Sequence, residues 1–130
     1  MVTIDPTLFL RRVLLADGAV SGACGALMLA GAAPLAGLLG VPEGLLRWAG
    51  LSLLPWAALV LWLARRASIS RGAILSVIVL NALWAVDCLL LLLSGWVAPT
   101  ALGVAFLLVQ AVTVGVLAEL QYVGLRRVSA

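Results

Sequence analysis

Four long apolar runs make up most of this chain, at about residues 10–32, 45–64, 73–94 and 100–124, with arginine, glycine and proline marking the breaks between them. Each run is close to the ~20 residues an α-helix needs to cross the hydrocarbon core of a bilayer. Lipid offers backbone N–H and C=O groups no partner, so each run must satisfy them internally as a helix, and the runs are too long for barrel strands. The pattern therefore predicts an all-α protein, a four-helix transmembrane bundle that takes up residues 1–130 as a single membrane domain. Asp5 followed by Pro6 predicts a helix start, with an N-cap acceptor and then a proline whose missing N–H costs nothing. No small-residue cleavage site follows a short apolar stretch, so this first segment reads as a retained span.

Arginines orient the spans. Arg11 and Arg12 precede the first, Arg65, Arg66 and Arg71 lie between the second and third, and Arg126 and Arg127 follow the fourth, while Arg47 alone lies on the other side. By the positive-inside rule both the N-terminus and the C-terminus are expected in the cytoplasm. The arginine clusters read as topology determinants touching anionic lipid, and no nucleic-acid partner is expected. The stretch from Pro34 to Pro42 is apolar but too short to span. It is expected in the outer interface, as a linker or as a lid over the mouth of the bundle.

At about 100° per residue, Asp17, Ser21, Cys24 and Met28 share one face of the first helix, beside Gly18, Gly22 and Gly25. These small-xxx-small pairs let a neighbouring helix come close, so that face is expected to meet protein. Asn81, Trp84 and Cys88 share an arc of the third span with Asp87 at its edge; Trp48, Ser52, Pro55, Trp56 and Leu59 form the corresponding arc of the second. The fourth span has two notable faces, one with Gly103, Gln110, Thr113, Gln121 and Gly124, the other with Ala111, Gly115, Ala118, Glu119 and Tyr122. One is expected to join the bundle and the other to join a second copy as a homodimer.

At about 1.5 Å of rise per residue, Asp17 and Glu119 fall roughly 8–10 Å inside the arginine-rich boundary, where both acids could meet arginines. Asn81 and Gln110 fall near the midplane and are expected to pair as amides, with Ser21 and Thr113 as further helix-packing polar groups. Asp87 lies in the outer half, level with Cys24, Ser52 and Trp56, and Arg47 is placed to reach it as an ion-pair partner. An ionisable residue in a span is a functional-site hypothesis by default. The candidate ligand-binding set is accordingly Asp87, Asn81, Trp84, Trp56, Ser52 and Arg47. In it Asp87 would hold a cation or proton, and the indoles would offer a stacking or cation–π wall. Trp48, Trp62 and Trp96 read as interfacial belt residues.

Composition narrows the chemistry further. The chain is 65% hydrophobic and only 10% charged, carries a formal charge of +3, and contains no histidine; all eight of its basic residues are arginine. Bis-histidine haem ligation, histidine metal sites, histidine general-base catalysis and lysine Schiff bases are thereby excluded. Cys24 and Cys88 are too few for a zinc or iron–sulfur site and form no CxxC, so no metal and no cofactor are expected. They read as small buried hydrophobes, a disulfide between them being the other reading. Without a nucleophile, base and oxyanion arrangement, an enzyme is not expected.

Three stretches, "PLAGLLGVP", "NALWAVDCLLLLLSGWVAPTALGVAFLLVQA" and "AELQYVGLRR", resemble a family of small bacterial inner-membrane proteins of about this length that carry four spans. The resemblance covers nearly the whole chain and implies a bacterial source, the inner membrane and a four-helix membrane fold; it carries over no activity and no functional residue. The expected function is a non-enzymatic membrane protein that binds or moves a small hydrophobic or cationic molecule. The alternative is a structural or accessory subunit whose polar residues only join helices and a partner.

Overall fold

The computed structural model describes residues 3–129. Four helices in it are long and apolar enough to cross a membrane: α1 (Leu8–Ala30), α3 (Glu43–Arg65), α4 (Arg71–Ser94) and α5 (Ala101–Ser129). A fifth, short helix, α2 (Ala32–Leu39), occupies the segment between the first two spans. A two-stranded antiparallel ladder pairs β1 (Thr3–Ile4) with β2 (Ile69–Ser70). The spans are 23, 23, 24 and 29 residues long. At about 1.5 Å per residue each therefore exceeds a hydrocarbon thickness of about 30 Å. The chain is thus an all-α bundle whose helices fit a multi-pass membrane protein.

Local chemistry sets the helix ends. Thr7, not Asp5, caps α1: its hydroxyl accepts the Leu10 N–H at 3.1 Å, and Asp5 and Pro6 lie in the extended lead-in. Ile4 is drawn into the ladder with Ile69, and both side chains join the core, which pulls the helix start two residues past the expected proline. Pro55 lies inside α3 without ending it. Neighbouring protein can accommodate such a residue within a membrane helix.

Glycine sets the closest helix contact. A Cβ on Gly50 would stand 2.7 Å from the Gly25 carbonyl oxygen and 2.8 Å from the Leu29 nitrogen, and one on Gly25 would stand 2.9 Å from Leu53 Cβ. The backbones of α1 and α3 therefore touch, and the small-residue face of the first span meets protein along Gly18, Gly22 and Gly25. α5 packs on α4 as a second hairpin and on α1, whereas α3 and α4 scarcely touch despite the short loop between them.

The two ends differ. At the arginine-rich end Leu10, Leu14, Val60, Ile69, Ile74 and Leu125 form one buried cluster that draws together all four spans. Arg11 donates to the carbonyls of Ala64 and Arg66, the latter at 2.9 Å. Arg127 lies over Phe9 at 5.2 Å and Arg66 over Trp62 at 4.6 Å. At the other end α2 is a fixed element. Its last carbonyls, on Leu38 and Leu39, accept from the Thr100 hydroxyl at 2.7 Å and the Thr100 N–H at 3.0 Å. Gly40, at φ +69°, turns the chain so closely past Ala98 that a Cβ would meet its carbonyl oxygen at 2.7 Å.

The α1–α3 contact yields the first prediction. Gly50→Leu should lower stability in detergent by about 1–3 kcal/mol, because backbone atoms of α1 cannot give way. Gly37, with nothing within 4 Å of a built Cβ, is the matched control. Gly37→Ala should unfold thermally at or above the wild-type temperature.

Candidate functional site

Immediately above the arginine-end cluster, three spans contribute a buried polar knot. Asp17 is 0% exposed, Gln121 0% and Asn81 3%. Asp17 Oδ2 accepts from Asn81 Nδ2 and from Gln121 Nε2, each at 2.7 Å, and Oδ1 accepts from Ser21 Oγ at 3.2 Å. Asn81 Nδ2 also donates to Gln121 Oε1 at 3.0 Å. All the donors are neutral, and among the described residues Asp17 has no cation within ion-pair distance. Every buried side-chain polar atom among the described residues has a partner.

Several expectations change here. Asp17 does not reach the arginines, because its place on the α1 face turned toward α4 and α5 buries it among amides. Asn81 does not pair with Gln110: it meets Asp17 and Gln121 instead, the latter about three turns closer to the arginine end than Gln110. Gln110 accepts from the Trp84 indole Nε1 at 3.1 Å. Arg47 does not pair with Asp87 either. It donates to Glu43 Oε1 at 3.0 Å, one turn back on its own helix, where both side chains reach the surface. Glu119 is exposed on α5 with no ion pair among the described residues, and Thr113 is half-buried.

Beyond the knot, where α3 and α4 separate, two cavities open. One, of about 300 Å³, is lined by Ser21, Asn81, Ser52, Trp56, Trp84 and Asp87 among others. The second, of about 290 Å³, continues from it past Ser52, Trp84 and Asp87 to Met28, Val41 and Phe106 near the far end of the bundle. Asp87, Asn81, Trp84, Trp56 and Ser52 are thus brought to one crevice, and Arg47 is not. Asp87 is exposed and has no hydrogen bond or ion pair among the described residues. The Ser52 hydroxyl donates back to the Trp48 carbonyl at 2.8 Å, and the Trp84 indole is held by Gln110. Both thiols, Cys24 and Cys88, are free.

Gln121 belongs to the site, although helical periodicity places it only on a face of the fourth span with Gly103, Gln110, Thr113 and Gly124. A signal for it existed. Asp17 is nine residues from the start of α1, Asn81 ten from the start of α4 and Gln121 eight from the end of α5, so the three share one level when counted from the helix ends.

The knot makes a quantitative prediction. Asp17→Leu removes the acceptor of three donors and leaves two amides to find others, at about 1–3 kcal/mol for each group left unpaired. Thermal unfolding in detergent should show that loss. A double-mutant cycle between Asp17 and Asn81 should show a coupling of about 1 kcal/mol or more, whereas additive effects would mean that the two do not interact. Set beside protein-family models, curated proteins and solved structures, the chain matches none.

Proposed function

We propose that this protein binds a small amphiphilic cation in the crevice between α3 and α4, as a non-enzymatic protein of a bacterial inner membrane with both termini in the cytoplasm. The observation that carries this reading is Asp87, an exposed acid within a span, on the walls of both cavities and without a partner among the described residues. Such an acid is disfavoured in a membrane by about 2.5–3.5 kcal/mol on insertion scales. A bound cation offsets that cost. Trp84 and Trp56 supply aromatic surface for the apolar part of the ligand and, toward a positive charge, cation–π attraction. The cavities, at about 290 and about 300 Å³, suit a small organic ion. The family resemblance supports the bacterial inner membrane, and the gathering of the arginine-bearing segments at one end supports the orientation.

Tetraphenylphosphonium tests this. It should raise the unfolding temperature of the wild-type protein in detergent and quench its tryptophan fluorescence. Asp87→Asn should weaken both effects by tenfold or more while leaving the ligand-free protein as stable or more so. An Asp87→Asn protein that is destabilised without ligand, or that binds the cation undiminished, overturns the reading.

A second reading, an accessory subunit joined to a second copy, is favoured by one face of α5. Glu119 and Tyr122 are exposed there, and a Cβ on Gly115 would meet nothing within 4 Å. A dimer packed on this face should become monomeric in Gly115→Leu, as read by light scattering in detergent. A wild-type protein that is already monomeric removes this reading.

A further inference from the structure

Asp17 takes no part in the cation site, and its two oxygens are not equivalent. Oδ2 accepts from both amides, Asn81 Nδ2 and Gln121 Nε2, each at 2.7 Å. Oδ1 meets only the Ser21 hydroxyl, at 3.2 Å. An amide NH2 group can only donate, so Oδ2 is committed to accepting from α4 and α5, whereas a hydroxyl donates or accepts and its bond to Oδ1 can run either way. Oδ1 can therefore carry a proton without breaking the knot. Ser21 and Asn81, moreover, both lie on the wall of the cavity of about 300 Å³ beside the knot, which Asp87 also lines. One serine separates the buried acid from the crevice.

The charges around Asp17 decide what that position binds. α3 packs on α1 beside it with Ala57 and Leu61, neither of which ionises. α4 brings Asn81, and its acid Asp87 lies nearly two turns further on. α5 brings Gln121; its Glu119 is exposed, and its Arg126 and Arg127 lie over Tyr122 and Phe9. On α1 itself Arg11 is drawn to the carbonyls of Ala64 and Arg66, and Arg12 is exposed. A carboxylate at Asp17 is thus a fully buried charge met by neutral donors alone. A metal cation would need oxygen lone pairs turned toward it, but the groups against Asp17 present hydrogens. The cation that fits is a proton.

We propose that Asp17 binds an exchangeable proton, which enters and leaves through Ser21 from the crevice between α3 and α4. Binding balances as hydronium plus carboxylate giving water plus carboxylic acid, with no other covalent bond changed overall. Oδ1–H then donates to Ser21 Oγ, the serine's own hydrogen turns toward the cavity, and both amide bonds to Oδ2 persist. The knot holds the two hairpins in either state while the interior of the bundle changes by one charge, the behaviour of an intramembrane proton-relay acid.

Infrared spectroscopy tests this on protein isotope-labelled at the aspartate carboxyl carbon. In detergent, the wild-type protein should show the isotope-shifted C=O band of a protonated aspartate. The band should fade as the pH rises, with circular dichroism unchanged, and should shift on transfer to heavy water. Asp5, Asp17 and Asp87 are the aspartates of the chain, so Asp5→Asn with Asp87→Asn leaves Asp17 alone and should keep the band. Ser21→Ala should retain it but slow its shift in heavy water by tenfold or more. A wild-type protein without the band at every pH at which it stays folded overturns the proposal. So does a band that neither titrates nor exchanges, which would make the proton a fixed part of the knot. Loss of the band in the double variant, or exchange at the wild-type rate in Ser21→Ala, overturns it equally. No organic cation is added, so this proposal and the reading of Asp87 fail separately.

Discussion

The contact among Asp17, Asn81 and Gln121 is the constraint on which the arrangement of the bundle turns. α1 with α3 and α4 with α5 are each a hairpin that packs along its length, and a membrane supplies little hydrophobic force to press two such hairpins together. Beyond the apolar cluster at the arginine-rich end, what joins them is polar. A carboxyl group on α1 placed among apolar side chains must find donors, and the amides of α4 and α5 supply them at 2.7 Å. Because Asp17 bonds both amides and Asn81 also bonds Gln121, withdrawing Asp17 leaves the Gln121 Nε2 without an acceptor and withdrawing Asn81 leaves the Gln121 Oε1 without a donor. Hydrogen-bond geometry fixes the hairpins at this level, between the apolar cluster at the arginine-rich end and the Thr100 bonds to α2 at the other.

Much of this was legible in the sequence, for a physical reason. The span boundaries follow from hydropathy because lipid tolerates only helices with satisfied backbones, and the α1–α3 contact follows from Gly18, Gly22 and Gly25 because only small side chains permit it. The polar partners were harder. Helical periodicity assigns Asp17, Asn81 and Gln121 to faces, but their common depth depends on where each helix starts and ends, and α5 runs on to Ser129, past the edge of its apolar run. Counted from that end Gln121 is level with Asn81, whereas Gln110 lies about three turns further along the same helix. The Arg47–Glu43 pair shows another limit. A partner four residues away on the same helix is always within reach, and it competes with any cross-helix partner such as Asp87. The β1–β2 ladder carries no sequence signal at all, since two residues per strand have no periodicity.

The crevice itself follows from the fold's unequal contacts. The hydrophobic cluster at the arginine end gathers α4 with the other spans as far as Ile74 and Val77. One turn beyond, Asn81 is held toward Asp17, and past that level no polar or small residue draws α4 back to α3. Trp56 and Trp84, and not glycine, line the space between α3 and α4 at this level. Asp87, nearly two turns past Asn81, therefore faces a gap and not a neighbour. Two acids in the same bundle thus meet opposite fates for one geometric reason: Asp17 lies at the level where three spans converge, and Asp87 lies where two of them part.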